Sequence, residues 1–226
     1  MKYENTQRAV FVSRPNRFIA HVLIDGVPAV CHVKNTGRCK ELLVPGAEVI
    51  IQRAANPQRK TAYDLIAVYK GGRLINMDAA APNTVCREWL AAGGLGFVPE
   101  LIKPEATHGD SRFDFYIEHG GRGAFIEVKG VTLEEDGVVR FPDAPTLRGV
   151  KHLHGLIRCL SEGYDAYAVF IIQMRGVRHF EPNRVTHPDF AQALREARDA
   201  GVRLIALDCD VTEDSLSVRE PVEIWI

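Results

Sequence analysis

Six short runs rich in Val, Ile, Phe and Tyr fill the first eighty residues, and turn pairs such as Asp25-Gly26 and Gly71-Gly72 separate them. Runs of this length between turn residues are typical of β-strands. The predicted strands cover residues 9–13, 17–24, 28–34, 47–53, 62–69 and 73–77. Several strands within eighty residues fit a small barrel better than a sandwich, and the five-stranded OB-fold is the candidate.

The pattern changes near residues 78–83, which read as a linker, and helices then mix with strands. Predicted helices cover residues 84–92 (with Asn83 as N-cap), 146–162 and 188–200, and predicted strands cover 112–118, 123–129, 164–173, 202–208 and 221–226. Such a mixture makes an α/β domain. The predicted fold is therefore an N-terminal OB-like β-barrel, residues 1–80, followed by an α/β domain, residues 81–226.

The two halves differ in charge. Residues 1–80 hold twelve Lys and Arg against six Asp and Glu, a net charge of +6, whereas residues 81–226 carry −7. A basic half joined to an acidic half suggests two domains with different electrostatic tasks. Nucleic acid is the expected partner of the basic half, although solvated basic faces are common.

The remaining composition excludes several classes. No apolar segment approaches the ~18 residues that cross a bilayer, and the first residues lack the apolar core of a signal peptide, so neither a membrane partner nor export is expected. Five scattered cysteines without a Cys-x-x-Cys pair are predicted to be reduced thiols in a cytoplasmic protein, with no disulfide-linked partner.

The stretch 111–129 carries the most specific chemical pattern. Its two alternating runs flank Gly120-Gly121, which predicts a β-hairpin with a two-residue turn. Such a turn places Asp114 directly opposite Glu127, and Arg112 opposite Lys129. Like charges facing each other destabilise a sheet, whereas Mg²⁺ or Mn²⁺ between the two carboxylates would reverse that penalty.

Glu127 and Lys129 are two residues apart and therefore share a face of their strand. Lys129 is then placed to orient a water for attack on a phosphodiester, while the metal stabilises charge on the phosphate. The alternative is that these residues form the solvent-exposed face of an amphipathic hairpin, where charged side chains are expected because they are hydrated. A turn shifted by one residue would also separate the acids.

Two further sets of basic residues are candidates for phosphate contact. Arg148 and Lys151 share one face of the helix predicted over 146–162 with His152 and Gly155. In the barrel, an extended chain would align Lys34, Arg38 and Lys40 on one side. Solvated basic surfaces are the alternative in both places.

The Asp-x12-Glu-x-Lys pattern resembles that of the PD-(D/E)xK nuclease superfamily. Longer sequence segments also match, and with them the chain resembles the sugar fermentation stimulation protein A family (SfsA). The matching segments are residues 14–18, 32–39, 41–46, 111–115, 126–133, 141–146 and 148–153. They cover nearly the whole chain in order.

The resemblance implies an OB-like domain followed by a PD-(D/E)xK nuclease-like α/β domain, with DNA binding of little sequence preference. Asp114, Glu127 and Lys129 match the nuclease triad, and Glu100 is a candidate for an additional upstream metal ligand. Two functions stay open: a Mg²⁺- or Mn²⁺-dependent phosphodiester-cleaving protein, and a non-catalytic DNA-binding regulator of sugar (maltose) metabolism with a vestigial nuclease fold.

Overall fold

A closed barrel forms the N-terminal part of the computed structural model, which describes residues 1–35, 37–56 and 58–226. Its sheet runs in the order β3-β2-β1-β4-β5-β6, and a parallel pairing of β3 with β5 closes five of these strands into the predicted OB barrel. The strands are β1 (Thr6–Ser13), β2 (Ile19–Ile24), β3 (Val27–Val33), β4 (Glu48–Arg53), β5 (Tyr63–Lys70) and β6 (Arg73–Asn76).

The rest of the chain is built on a six-stranded mixed sheet of order β15-β14-β12-β9-β8-β7, whose three central strands are parallel. These strands are β7 (Leu101–His108), β8 (Ser111–His119), β9 (Arg122–Val131), β12 (Asp165–Ile172), β14 (Arg203–Val211) and β15 (Leu216–Pro221). A small sheet adds β10 (Leu133–Glu135), β11 (Val138–Phe141) and β13 (His179–Pro182).

Helices cover both faces of the large sheet, as the burial of alternating apolar residues requires. On one face, α1 (Ala81–Ala91) packs through Val85 and Leu90. The other face is covered by α2 (Leu147–Ser161) and α3 (Pro188–Ala200). The strand β12 is almost wholly buried, and it forms the centre of the domain.

Buried polar groups join the two domains. Gln173, next to the end of β12, donates from Nε2 to Asn76 Oδ1 at 2.9 Å and to the Asp78 carbonyl at 3.0 Å. The Asn76 backbone N–H in turn donates to the Gln173 carbonyl at 2.9 Å. Because both partners are buried, these bonds fix the barrel against the C-terminal end of the central strand β12.

Three local predictions differ from the structure. Helix α1 begins at Ala81 after Ala80, so Asn83 lies inside the first turn and is not the N-cap. The last strand is Leu216–Pro221 and not 221–226, and the strands β7, β10, β11 and β13 were not predicted. All five cysteines are free and buried. No helix in the described ranges combines the length and hydropathy of a membrane span.

Candidate functional site

The hairpin of β8 and β9 has the predicted register. Its ladder runs from His119 opposite Arg122 to Phe115 opposite Ile126, which are the last paired residues. One step further, the Val128 backbone N–H donates to Asp114 Oδ2 at 2.7 Å instead of to a strand carbonyl. The two strands therefore separate at Asp114, and its carboxylate occupies the opening between them.

The same position interrupts the alternation of faces. Phe113 packs on the α2 side of the sheet, against the His152 ring, whereas Phe115 packs in the core on the α1 side. On the neighbouring strand β7, Glu105 has a φ of 53°, and it lies between the two ladder pairs that flank Asp114. The ladder keeps the same register on both sides of Glu105, so no residue is inserted, and this local irregularity lies directly opposite Asp114.

Asp114 is held by two donors. Besides Val128, the Asn83 Nδ2 group of α1 donates to Asp114 Oδ1 at 2.8 Å. Burial raises the pKa of this carboxyl, and the nearby charge of Glu127 raises it further, against the lowering effect of both hydrogen bonds. A carboxylate whose pKa is raised in this way gains from any cation placed beside it.

Glu127 is almost completely buried, with 3% of its surface exposed. Its Oε1 atom contacts both the Lys129 ammonium and His152 Nδ1. Burial alone would raise the pKa of this carboxyl, but the His152 hydrogen bond and the Lys129 charge outweigh burial and lower it. Among the described residues, its other oxygen, Oε2, is buried and has no hydrogen-bond partner.

His152 completes this cluster, and sequence reasoning missed it. Arg148 Nε lies 3.3 Å from His152 Nε2 and can only donate, so Nε2 accepts and Nδ1 carries the proton given to Glu127. The prediction that His152 and Gly155 share an exposed basic face with Arg148 and Lys151 is wrong, because both pack against the sheet. The i, i+4 spacing of Arg148 and His152, which places the two side chains side by side on a helix, was the sequence signal that could have indicated their contact.

Glu100 does not join the cluster. Its Oε1 atom accepts from the Gly120 backbone N–H at 3.0 Å, at the hairpin turn. Six residue steps along β8 lead from that turn to Asp114, a distance of roughly 20 Å along a strand. No group of three or more His, Cys, Asp or Glu side chains suited to a metal occurs in the described part of the chain. Asp114 and Glu127 therefore stand as a pair of carboxylates.

The predicted phosphate contacts fall into different environments. Lys151 donates to the Asp110 carbonyl at 2.7 Å and is paired with that residue's carboxylate, while Arg148 is exposed beside His152. Lys34 is paired with the buried Asp78 at the domain junction. Only Arg38 and Lys40 line an open cavity. The structure therefore does not align Lys34 with them.

The paired carboxylates suit a hard divalent cation. They come from adjacent strands. Backbone and amide donors anchor Asp114, and Glu127 has a buried oxygen without a hydrogen-bond partner in the part of the chain that the structure describes. Mg²⁺ and Mn²⁺ prefer such oxygen ligands and complete their coordination with water. The residues present thus fit a cation held by Asp114 and Glu127.

An OB barrel joined to an α/β domain with this hairpin defines a two-domain architecture that family comparisons recognise. The model described as "SfsA N-terminal OB domain" matches residues 12–77, and the one described as "Sugar fermentation stimulation protein RE domain" matches residues 80–215. The chain belongs to the sugar fermentation stimulation protein family.

Relatives align along the full length. The sugar fermentation stimulation protein homologue of Clostridium beijerinckii is 57% identical over 224 residues, which cover 99% of each chain. The Desulfitobacterium hafniense (strain DCB-2) homologue is 57% identical over 226 residues, covering 99% of this chain and 98% of its own. The solved structure of Pyrococcus furiosus SfsA in complex with Ca²⁺ has a TM-score of 0.90 and 28% identity, covering 100% of this chain and 98% of that chain.

Proposed function

We propose that this protein binds DNA with little sequence preference and cleaves phosphodiesters at Asp114, Glu127 and Lys129 with Mg²⁺ or Mn²⁺. The observation that carries the proposal is the buried Glu127 Oε2 atom, which has no partner among the described residues and belongs to the carboxylate paired with Asp114. An unsatisfied carboxylate oxygen in a buried position is costly, and a cation would satisfy it.

Asp114 and Glu127 would hold the cation, which supplies Lewis-acid stabilisation of negative charge on the phosphate. The Ca²⁺ complex of the Pyrococcus furiosus relative supports a divalent cation in this fold. Lys129 contacts Glu127 from the same strand face, where its ammonium can orient a water beside the bound phosphodiester. Arg148 and His152 keep Glu127 Oε1 occupied, which leaves Oε2 for the cation.

The test is cleavage of labelled single- and double-stranded DNA with Mn²⁺, with binding followed in the same samples. Asp114→Asn and Lys129→Ala should each lower the cleavage rate by at least about 100-fold and leave binding intact. Glu100→Gln is the matched control, because Glu100 is an exposed acid at the other end of the hairpin. It should cleave like the wild type.

The second candidate is a non-catalytic DNA-binding regulator of sugar (maltose) metabolism. It is favoured by the pairing of Glu127 with both Lys129 and His152, which compensates the buried charge without a cation. DNA binding by the wild type without cleavage of any tested substrate under Mg²⁺ or Mn²⁺ would end the catalytic proposal and favour this alternative.

A further inference from the structure

A cavity of about 460 Å³ opens on the barrel, remote in sequence from the carboxylate pair. Its rim carries the side chains of Arg14, Arg17, Arg38 and Lys40, contributed by the β1–β2 connection and the segment after β3. The volume lies within the range of about 300–1,000 Å³ that is usual for ligand sites. We call it the basic cavity.

Among the described residues, the four cations of the basic cavity have no carboxylate at ion-pair distance, although the Asp143 carboxylate lies beside Gly37. Within the same ranges, no Asp or Glu lines the cavity. Elsewhere in the barrel most cations are paired, since Arg8, Lys34, Arg59, Lys70 and Arg73 all contact carboxylates, whereas Arg53 and Lys60 are exposed. Unneutralised positive charge concentrated in a concave site attracts anions.

Arg14 holds the rim in place. Its two terminal nitrogens donate to the carbonyls of Arg17, Asn35, Gly37 and Arg38 at 2.6–2.9 Å. All four acceptors are neutral, so Arg14 keeps its charge while it ties the two rim segments together. The rim is therefore preorganised around Arg17 and Arg38, which reduces the entropy that a ligand would have to overcome.

The floor of the basic cavity is apolar. Val12 and Pro45 form its exposed part, with Val12 41% exposed, and Phe11 and Leu43 lie buried beneath them at 2% and 7%. A bare inorganic anion would use the cations and leave this floor in water. A ligand that matches both parts has an apolar planar portion next to phosphate, which is the chemistry of an unpaired nucleotide.

We propose that the basic cavity binds an unpaired nucleotide of single-stranded nucleic acid, with the base on the apolar floor and phosphates on Arg17, Arg38 and Lys40. The inference rests on the proposed function and names its substrate class. In a duplex, the bases are stacked and paired and cannot reach the floor. Single strands should therefore bind more tightly than duplexes of the same length.

The basic cavity adjoins the domain junction. Gly37 lines both the basic cavity and a cleft of about 380 Å³ between the domains, and Gly130 lines the far side of that cleft. Gly130 directly follows Lys129 in β9. The cleft thus reaches β9 next to Lys129, although the residues that line it do not include Asp114, Glu127 or Lys129.

The test measures fluorescence anisotropy of labelled oligothymidylate in EDTA, where no cation-dependent cleavage occurs. Arg17→Ala/Arg38→Ala should weaken binding at least about tenfold and reduce the slope of log K against log salt by about 1.4, since each single-strand contact contributes ~0.7. Arg53→Ala/Lys60→Ala is the matched control. It removes two exposed barrel cations without salt bridges in the described residues, at the opposite end of β4.

The base contact is tested with an abasic oligomer of the same length, which should bind about fivefold more weakly than oligothymidylate. Equal loss of affinity in both double variants, or no loss in either, would overturn the proposal, as would failure of the wild type to bind single strands. After any of those results, the proposed function would still be tested separately by cleavage of duplex DNA. Conversely, the expected binding losses without any cleavage would support nucleotide binding in the basic cavity and refute the proposed nuclease activity.

Discussion

Two charged regions of this protein are organised in opposite ways. Around Glu127, Lys129 and His152 the polar groups are paired with one another, and among the described residues one buried carboxylate oxygen has no partner. In the basic cavity, the cations form no salt bridge within the described ranges. Under the proposed function the difference corresponds to two tasks, because a reacting site needs groups fixed before the ligand arrives, whereas a holding site needs charge that the ligand itself neutralises.

The largest effect is expected from replacing Lys34. This barrel lysine differs from the cations of the basic cavity because it forms a salt bridge with a buried carboxylate, as Lys129 does in the α/β domain. Its partner Asp78 is 1% exposed, so Lys34→Met leaves a buried carboxylate without its ion pair. We expect a loss of about 2–4 kcal/mol in the free energy of unfolding. Thermal melting should show the loss while the folded variant binds oligothymidylate within about twofold of the wild type. Weakened binding by folded protein would instead return Lys34 to the nucleic-acid interface.

His152 gives the next largest effect. His152→Leu removes the donor that holds Glu127 Oε1, and loss of such a partner typically costs 10–100-fold in metal affinity. His152→Asn keeps an N–H donor near the Nδ1 position and should restore most of that affinity. Titration of Mn²⁺ by calorimetry checks both variants. Equal affinities for the Leu and Asn variants would show that His152 only fills space.

Cation binding should also appear as stability. At a concentration ten times its dissociation constant, a cation that binds only the folded chain adds about 1.4 kcal/mol. For a chain of this size that corresponds to a rise of about 3–6 °C in melting temperature. Ca²⁺ should produce the rise in the wild type and in Glu100→Gln, but not in Asp114→Asn. A rise that persists in Asp114→Asn would place the cation elsewhere.

The smallest effect concerns pH in the absence of cations. The pKa of Asp114 is raised in the folded chain, so folding favours its protonated form, and stability is lost as pH rises from the ordinary value of 3.8 through the folded pKa. Glu127 has the opposite sign: its lowered pKa stabilises the fold at neutral pH, and that stabilisation disappears in acid. Asp114→Asn should therefore melt slightly above the wild type at pH 7 in EDTA, and the difference should vanish below pH ~4.

Local signals predicted part of the site well. Gly120-Gly121 confined the hairpin to one turn, and the register from His119 to Phe115 followed from it. The separation of the strands at Asp114 did not follow, because it coincides with an irregular residue, Glu105, in a strand that lacks an apolar pattern. Glu100 was a candidate only through the family resemblance, and the structure places its carboxylate at the hairpin turn.

Long-range contacts account for the other differences. The sequence gives the period of α2 but not the direction in which α2 docks, so the buried face that contains His152 was assigned to solvent. Lys34 finds Asp78 forty-four residues later, beyond the reach of strand alternation. The barrel was predictable because its strands and turns are local, and the family resemblance covers nearly the whole chain.

The junction at Gln173 has a consequence for the products of the proposed cleavage. Because buried hydrogen bonds to Asn76 and Asp78 lock the barrel to the sheet, the basic cavity and the carboxylate pair keep a constant separation. The junction then sets the distance between binding and cleavage, so a strand bound in the basic cavity would be cut a fixed number of nucleotides away. Fragment lengths should cluster around one value, and Gln173→Ala should broaden that distribution.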